Sequence, residues 1–285
     1  MAKDPNSPKI YLWPNLMTAG NLFCGFAAIL NILTYWMENP RPEQTFIHYY
    51  WAIGLILGAC LFDALDGRIA RMVGEESPFG REFDSLADTV SFGVAPALLV
   101  HDIVLKDLNK QYDQIGWLIA FFYLLCGTMR LARFNCTAAA APKAGASKDF
   151  QGCPIPAAAG VISSLTLLLL GFYESNPDHQ VGPWKYALVF VMIMLSILMF
   201  SNVPYPSFKG LGWKTKRSFP WVLGAMLVLM FTVWKWRYML PTLFLSYLFY
   251  GLIRPWLSRR WVKEIEEDED EPETDSESPD SPSVK

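Results

Sequence analysis

An all-α polytopic membrane bundle of about eight transmembrane helices is the fold this chain predicts, and three observations predict it. Apolar runs of bilayer length recur along the 285 residues, tryptophans collect at the ends of those runs, and most lysines and arginines fall on one side once the runs are treated as alternating spans. Bulk composition decides little, because 52% hydrophobic is near the usual share for a soluble domain. About 20 residues are needed to cross the ~30 Å hydrocarbon core. Runs at 13–36, 48–72, 84–104, 115–135, 155–173, 184–202, 219–235 and 238–256 come close to that length.

The first run is too long for a signal peptide and lacks a small-residue cleavage site, so it reads as a span. It opens PNLMTAGN over Pro14–Asn21, with Asn15, Thr18 and Asn21 along one helix face. The second contains Gly54-x-x-x-Gly58, a spacing that permits close helix packing. Its end and the start of the third run are rich in carboxylates. The fourth ends in RLARFN (Arg130–Asn135), and the fifth follows FQGCPIPAAA (Phe150–Ala159). Lys235, Trp236 and Arg237 leave only a short turn between the last two. Trp13, Trp36, Trp51, Trp184, Trp221, Trp234, Trp236 and Trp256 mark the interfaces, as aromatic belts do.

With the N-terminus in the cytoplasm, eight spans place 18 of the 24 Lys and Arg inside. The outer side holds six: Arg41, Lys106, Lys110, Lys185, Lys235 and Arg237. That excess fits the positive-inside rule. It divides the chain into a cytoplasmic N-terminal segment at 1–12, a transmembrane catalytic domain at 13–262 and an acidic disordered cytoplasmic tail at 263–285. From Glu264 to Lys285 there are 11 acidic residues against one lysine, a composition that cannot bury a core. The five cysteines (Cys24, Cys60, Cys126, Cys136, Cys153) form no C-x-x-C pair and read as small apolar residues. His48, His101 and His179 all fall on the outer side of this topology, so a carboxylate must serve wherever the inner site needs a base. Nothing in the pattern points to nucleic acid.

Four carboxylates stand within 26 positions at the inner edge of the second and third spans: Asp63-x-x-Asp66-Gly67-x-x-Ala70-Arg71, then Gly80, Asp84 and Asp88. Ionisable groups at membrane depth point to function. On a helix, Asp63, Gly67, Ala70 and Arg71 share one face with Asp66 at its edge, and Asp84 and Asp88 lie one turn apart. Two such helices packed antiparallel converge four negative charges, and hard divalent cations with oxygen ligands would resolve the repulsion.

This pattern resembles the signature of the CDP-alcohol phosphotransferase family, D-x-x-D-G-x-x-A-R-x8-G-x3-D-x3-D, and matches it at every fixed position. DSLADTVSFGVAP (Asp84–Pro96), RLARFN and FQGCPIPAAA look like its phosphatidylserine synthase branch. The resemblance implies that Asp63, Asp66, Asp84 and Asp88 hold two Mg²⁺ or Mn²⁺ ions and that Asp88 is also the general base. It further implies that Gly67, Ala70 and Gly80 leave a slot for the cytidine nucleotide, that Arg71 reaches its phosphates, and that Asn15 and Thr18 face it. Arg71 alone could equally snorkel to the interface, and Asn15 and Thr18 could simply bond neighbouring helices. Arg130 and Arg133 share a face and would grip the lipid phosphate or the serine carboxylate, with positive-inside anchoring as the alternative. Ser91 is a weaker candidate for the acceptor pocket.

The expected activity is metal-dependent transfer of a phosphatidyl group from CDP-diacylglycerol to L-serine, giving phosphatidylserine and CMP. The resemblance also implies a homodimer among membrane lipids, and the distribution of Lys and Arg puts the active site on the cytoplasmic face. One rival keeps the chemistry with glycerol 3-phosphate or inositol phosphate as acceptor. A rival of another class is a transporter with a carboxylate ion path.

Overall fold

The computed structural model describes residues 12–38, 42–73, 77–106, 114–140, 150–175, 184–205, 230, 232 and 234–253. The predicted span at 219–235 lies almost wholly outside these residues, as do most of the N-terminal segment and the acidic tail. Among the described residues the other seven runs are helical. α1 is Leu12–Glu38, α2 Pro42–Val73 and α3 Pro78–Asp88. A π-helical turn, Thr89–Val94, then joins α3 to α4, Ala95–Val100, and a second π turn, His101–Leu105, completes the rod. α5 is Ile115–Ala140, α6 Ile155–Ser175, α7 Trp184–Phe200 and α8 Trp236–Ile253. Among the described residues four helices are long and apolar enough to cross a bilayer, at Asn15–Thr34, Pro78–Leu105, Ile115–Thr137 and Ile155–Glu174, and Trp184–Phe200 is a shorter apolar helix. The chain is an integral membrane protein built from helices.

Among the described residues, two strands of two residues each accompany the helices without changing the all-α class. Phe150–Gln151 pairs antiparallel with Pro204–Tyr205. Gly152 makes this possible with a φ of 79°, a region open to glycine but strained for other residues. Its N–H donates to the Val203 carbonyl at 2.9 Å, and that of Cys153 to the Leu198 carbonyl at 3.2 Å. The loop before α6 is thereby stitched to the end of α7.

The interior is small and aliphatic, with Ala52, Ile53, Ile56 and Ala59 of α2 packed among Phe92, Leu99, Tyr123, Ile162 and Leu195. Large apolar side chains such as Phe23, Leu61, Phe121 and Phe190 point outward, as a lipid solvent allows. Thr34, Thr128, Thr166, Ser196 and Thr242 bond back to the carbonyl four residues earlier, which satisfies their hydroxyls without water. The tight backbone contact between helices is not at Gly54-x-x-x-Gly58 of α2. A Cβ on Gly54 would meet nothing within 4 Å, and one on Gly58 only Cys24 Sγ at 3.9 Å. It is at Gly25, where a Cβ would sit 2.6 Å from the Ser91 Cα.

At the far end of the rod, Tyr49 donates to Asp102 at 2.6 Å and Lys106 pairs with the same carboxylate. His48 and His101 lie at this end. They are 15 and 17 residues along their helices from Asp63 and Asp84, or roughly 22–26 Å at the rise of a helix. All five cysteines are free. Burial pushes the Cys153 thiol up to about 12, so it stays a neutral thiol, as its reading as a small apolar residue requires.

Candidate active site

Local sequence sets the two carboxylate helices. Ser77 caps α3, its Oγ accepting the Gly80 N–H at 2.9 Å, and Pro78 fits the first helical position, where no donor is needed. α3 therefore starts six residues before Asp84, which fixes where Asp84 and Asp88 fall. α2 runs uninterrupted through Asp63 and Asp66 to Val73. α1 packs along both, so that three helices meet at one end of the bundle.

Asp63, Asp66 and Asp84 converge as the spacing predicts, each offering a carboxylate oxygen within 4.8 Å of the others. Asp66 is buried, and Asp63 and Asp84 are half-buried. Thr18 donates to Asp66 Oδ2 at 3.2 Å. Asp84 Oδ1 is sheltered from solvent, and no described protein donor reaches it. Leaving such an acceptor unmet costs about 1–3 kcal/mol. An all-oxygen set of three carboxylates with one stranded acceptor fits a hard divalent cation.

Asp88 lies one turn further along and is 6% exposed. It is outside the group of three, and Asn21 Nδ2 donates to its Oδ1 at 2.9 Å. The π turn follows directly, a distortion frequent at functional sites. That turn carries Ser91, fully buried, whose Oγ donates to the Asn21 backbone carbonyl at 2.9 Å. Ser91 thus ties α1 to the rod. Tyr123 steadies the turn by donating to the Phe92 carbonyl at 3.1 Å.

The expected nucleotide residues divide. Gly67 is exposed, and a Cβ there would meet nothing within 4 Å, so the space beside Asp66 is open. Gly80 meets Asn15: a Cβ would lie 3.3 Å from Asn15 Oδ1. Asn15 Nδ2 is buried with no described partner. Ala70 and Arg71 continue the helix, and their side chains lie outside the described residues.

The two arginines of α5 separate as well. Arg130 is buried, its Nε has no described partner, and its charge acts on Asp63 and Asp88. Arg133 turns to the end of α7, donating to the Phe200 carbonyl at 3.2 Å, the Ser201 carbonyl at 3.2 Å and Asn202 Oδ1 at 3.0 Å. Asn135 donates to Ser85 Oγ at 3.0 Å and binds α5 to α3.

Sequence reasoning missed the partner of Asn21. The signal was present, since Asn21 shares the α1 face of Thr18, but only the packing shows that this face meets Asp66 and Asp88.

Known proteins resemble this chain over much of its length. The profile of the CDP-alcohol phosphatidyltransferase family matches residues 11–246. A CDP-diacylglycerol–serine O-phosphatidyltransferase of Helicobacter pylori is 34% identical over 251 residues, covering 87% of this chain and 92% of that protein. The archaetidylserine synthase of Methanothermobacter thermautotrophicus is 39% identical over 163 residues, 56% of this chain and 60% of its own. A Saccharomyces cerevisiae protein with the same name as the first is 41% identical over 143 residues, 49% of this chain and 48% of its own.

Proposed function

Because the chain belongs to the CDP-alcohol phosphatidyltransferase family, we propose that it transfers the phosphatidyl group of CDP-diacylglycerol to the hydroxyl of L-serine and releases CMP. The observation that carries the chemistry is the meeting of Asp63, Asp66 and Asp84 within 4.8 Å, with Asp88 on the next turn. The choice of serine is supported by the names of the relatives and by RLARFN and FQGCPIPAAA.

In this reading Asp63, Asp66 and Asp84 would hold two Mg²⁺ or Mn²⁺ ions, with Asp88 beside them as the base. Bound cations would neutralise charge on the pyrophosphate and its leaving group. The residues do the rest. The open space at Gly67 admits the nucleotide, with Asn15, Thr18, Ala70, Arg71 and Gly80 around it. Arg130, buried with an unmet donor, takes the serine carboxylate or the lipid phosphate, and Arg133 braces the wall behind it. Asp88 accepts the serine hydroxyl proton as the serine oxygen bonds to the phosphatidyl phosphorus and the bond from that phosphorus to CMP breaks. Among the described residues, Ser85, Ser91 and Cys60 near the motif bond to Asn135, the Asn21 carbonyl and the Pro156 carbonyl rather than to a base, which supports direct displacement. The excess of Lys and Arg on one side supports a cytoplasmic site with an acidic cytoplasmic tail, and the family resemblance supports a homodimer.

The test offers purified protein CDP-diacylglycerol, Mn²⁺ or Mg²⁺, and serine, glycerol 3-phosphate or inositol phosphate in parallel. Serine-dependent CMP release is expected. Release with either phosphorylated acceptor at a rate equal to that with serine would overturn the assignment.

A further inference from the structure

Asn21 is fully buried on α1 and spans two contacts with the rod. Its Nδ2 donates to Asp88 Oδ1 at 2.9 Å, and its backbone carbonyl accepts from Ser91 Oγ at 2.9 Å. Gly25, one turn along the same face, lets the two helices approach closely enough for both bonds. The remaining polar atom, Asn21 Oδ1, is sheltered from solvent, and no described protein donor reaches it. An ionised Asp88 can only accept, so the amide must present its NH₂ to Asp88, which leaves Oδ1 stranded. A residue serving packing alone would not strand an acceptor in the core, since an apolar side chain of the same shape avoids that cost.

We propose that Asn21 is the positioning residue of Asp88. Its amide occupies Oδ1 and holds the carboxylate in one rotamer. Oδ2 is then the oxygen left to receive the proton of the attacking hydroxyl. Thr18 makes an analogous bond one turn earlier, but to Asp66, which belongs to the group of three. Asn21 acts on the carboxylate outside that group, so its loss should affect turnover rather than cation binding. The inference rests on the reading of Asp88 as the base.

The test uses the purified full chain with Asn21→Leu and Asn21→Ala, each alone and combined with Asp88→Asn. Steady-state kinetics with CDP-diacylglycerol and serine are read beside Mn²⁺ binding followed by electron paramagnetic resonance. Asn21→Leu is expected to lower kcat about 10- to 100-fold, the worth of a hydrogen bond to a charged group. Mn²⁺ affinity and KM for CDP-diacylglycerol should stay within about threefold of wild type. In the Asp88→Asn background the same change should cost less than about threefold, because the residue it acts through is gone. A kcat within about twofold of wild type, a loss of Mn²⁺ affinity matching that of Asp84→Asn, or losses that multiply in the double variant would each overturn the proposal. Asn21→Ala also removes the donor, with less bulk, and carries the same test if the leucine variant does not fold. If Asp88→Asn leaves no measurable rate, the split between kcat and Mn²⁺ binding in the single variants decides. A wild type without serine-dependent CMP release sinks the reading of the reaction. An active wild type with an unchanged Asn21→Leu sinks only this inference.

Discussion

Replacing Gly25 with alanine puts a methyl group where α1 touches the rod. The new Cβ would stand 2.2 Å from Ser91 Oγ and 2.6 Å from Ser91 Cα. The hydroxyl can rotate away, but the Cα is backbone and cannot. Carbon atoms rest at about 3.5 Å, so α1 and the π turn must part by roughly 1 Å. Asn21 lies one turn from Gly25, and its bond to Asp88 is 2.9 Å long. An opening of that size carries it to about 4 Å, beyond hydrogen-bond reach. Loss of a bond to a charged group removes about 1.5–3 kcal/mol, or roughly 10- to 150-fold in kcat if Asp88 must be held for turnover. The overpacking itself costs about 1–3 kcal/mol of stability. The assay is serine-dependent CMP release by the detergent-purified Gly25→Ala variant, read beside its melting temperature. A folded variant with wild-type kcat would refute the reasoning, because the helices would have parted without consequence for Asp88.

Other substitutions separate the groups. Asp63→Asn, Asp66→Asn and Asp84→Asn should each abolish turnover and weaken Mn²⁺ binding, whereas Asp88→Asn should cost rate more than CDP-diacylglycerol binding measured by calorimetry. Excess EDTA should stop the wild type, and turnover should return on adding Mn²⁺. Arg130→Lys should raise KM for serine or the lipid with metal dependence intact, since lysine keeps the charge and loses the fork. Arg133→Ala should instead lower thermal stability, by about 1–2 kcal/mol, because it uncaps the end of α7. Gly152→Ala should destabilise by about 1–3 kcal/mol, since alanine there is strained at a φ of 79° and its Cβ would lie 2.5 Å from the Met199 carbonyl oxygen.

Hydropathy made most of the helices legible. The predicted 13–36 became Leu12–Glu38, and 155–173 became Ile155–Ser175. The motif spacing was likewise enough to bring Asp63, Asp66 and Asp84 together, because two helices with carboxylates at helical intervals have few ways to bury them. Features that depend on contact between distant segments were not legible. Arg130 and Arg133 share a helix face at i, i+3, yet the end of α7 reaches only one of them, and nothing in α5 encodes where α7 stops. The π turn after Asp88 follows no periodicity in the sequence, and the pairing of Phe150–Gln151 with Pro204–Tyr205 joins segments more than 50 residues apart. Asn21 lay on a visible polar face, but its target is chosen by the Gly25 crossing, which composition does not reveal.

The central claim is attack by a serine hydroxyl on the phosphatidyl phosphorus, with CMP as the leaving group, beside the carboxylate group. Serine labelled with ¹⁸O in its hydroxyl, reacted with CDP-diacylglycerol and Mn²⁺, tests it in one mass-spectrometric measurement. The label should appear in phosphatidylserine, with unlabelled CMP released in equal amount. Release of phosphatidic acid in place of CMP, or phosphatidylserine lacking the label, would contradict the account.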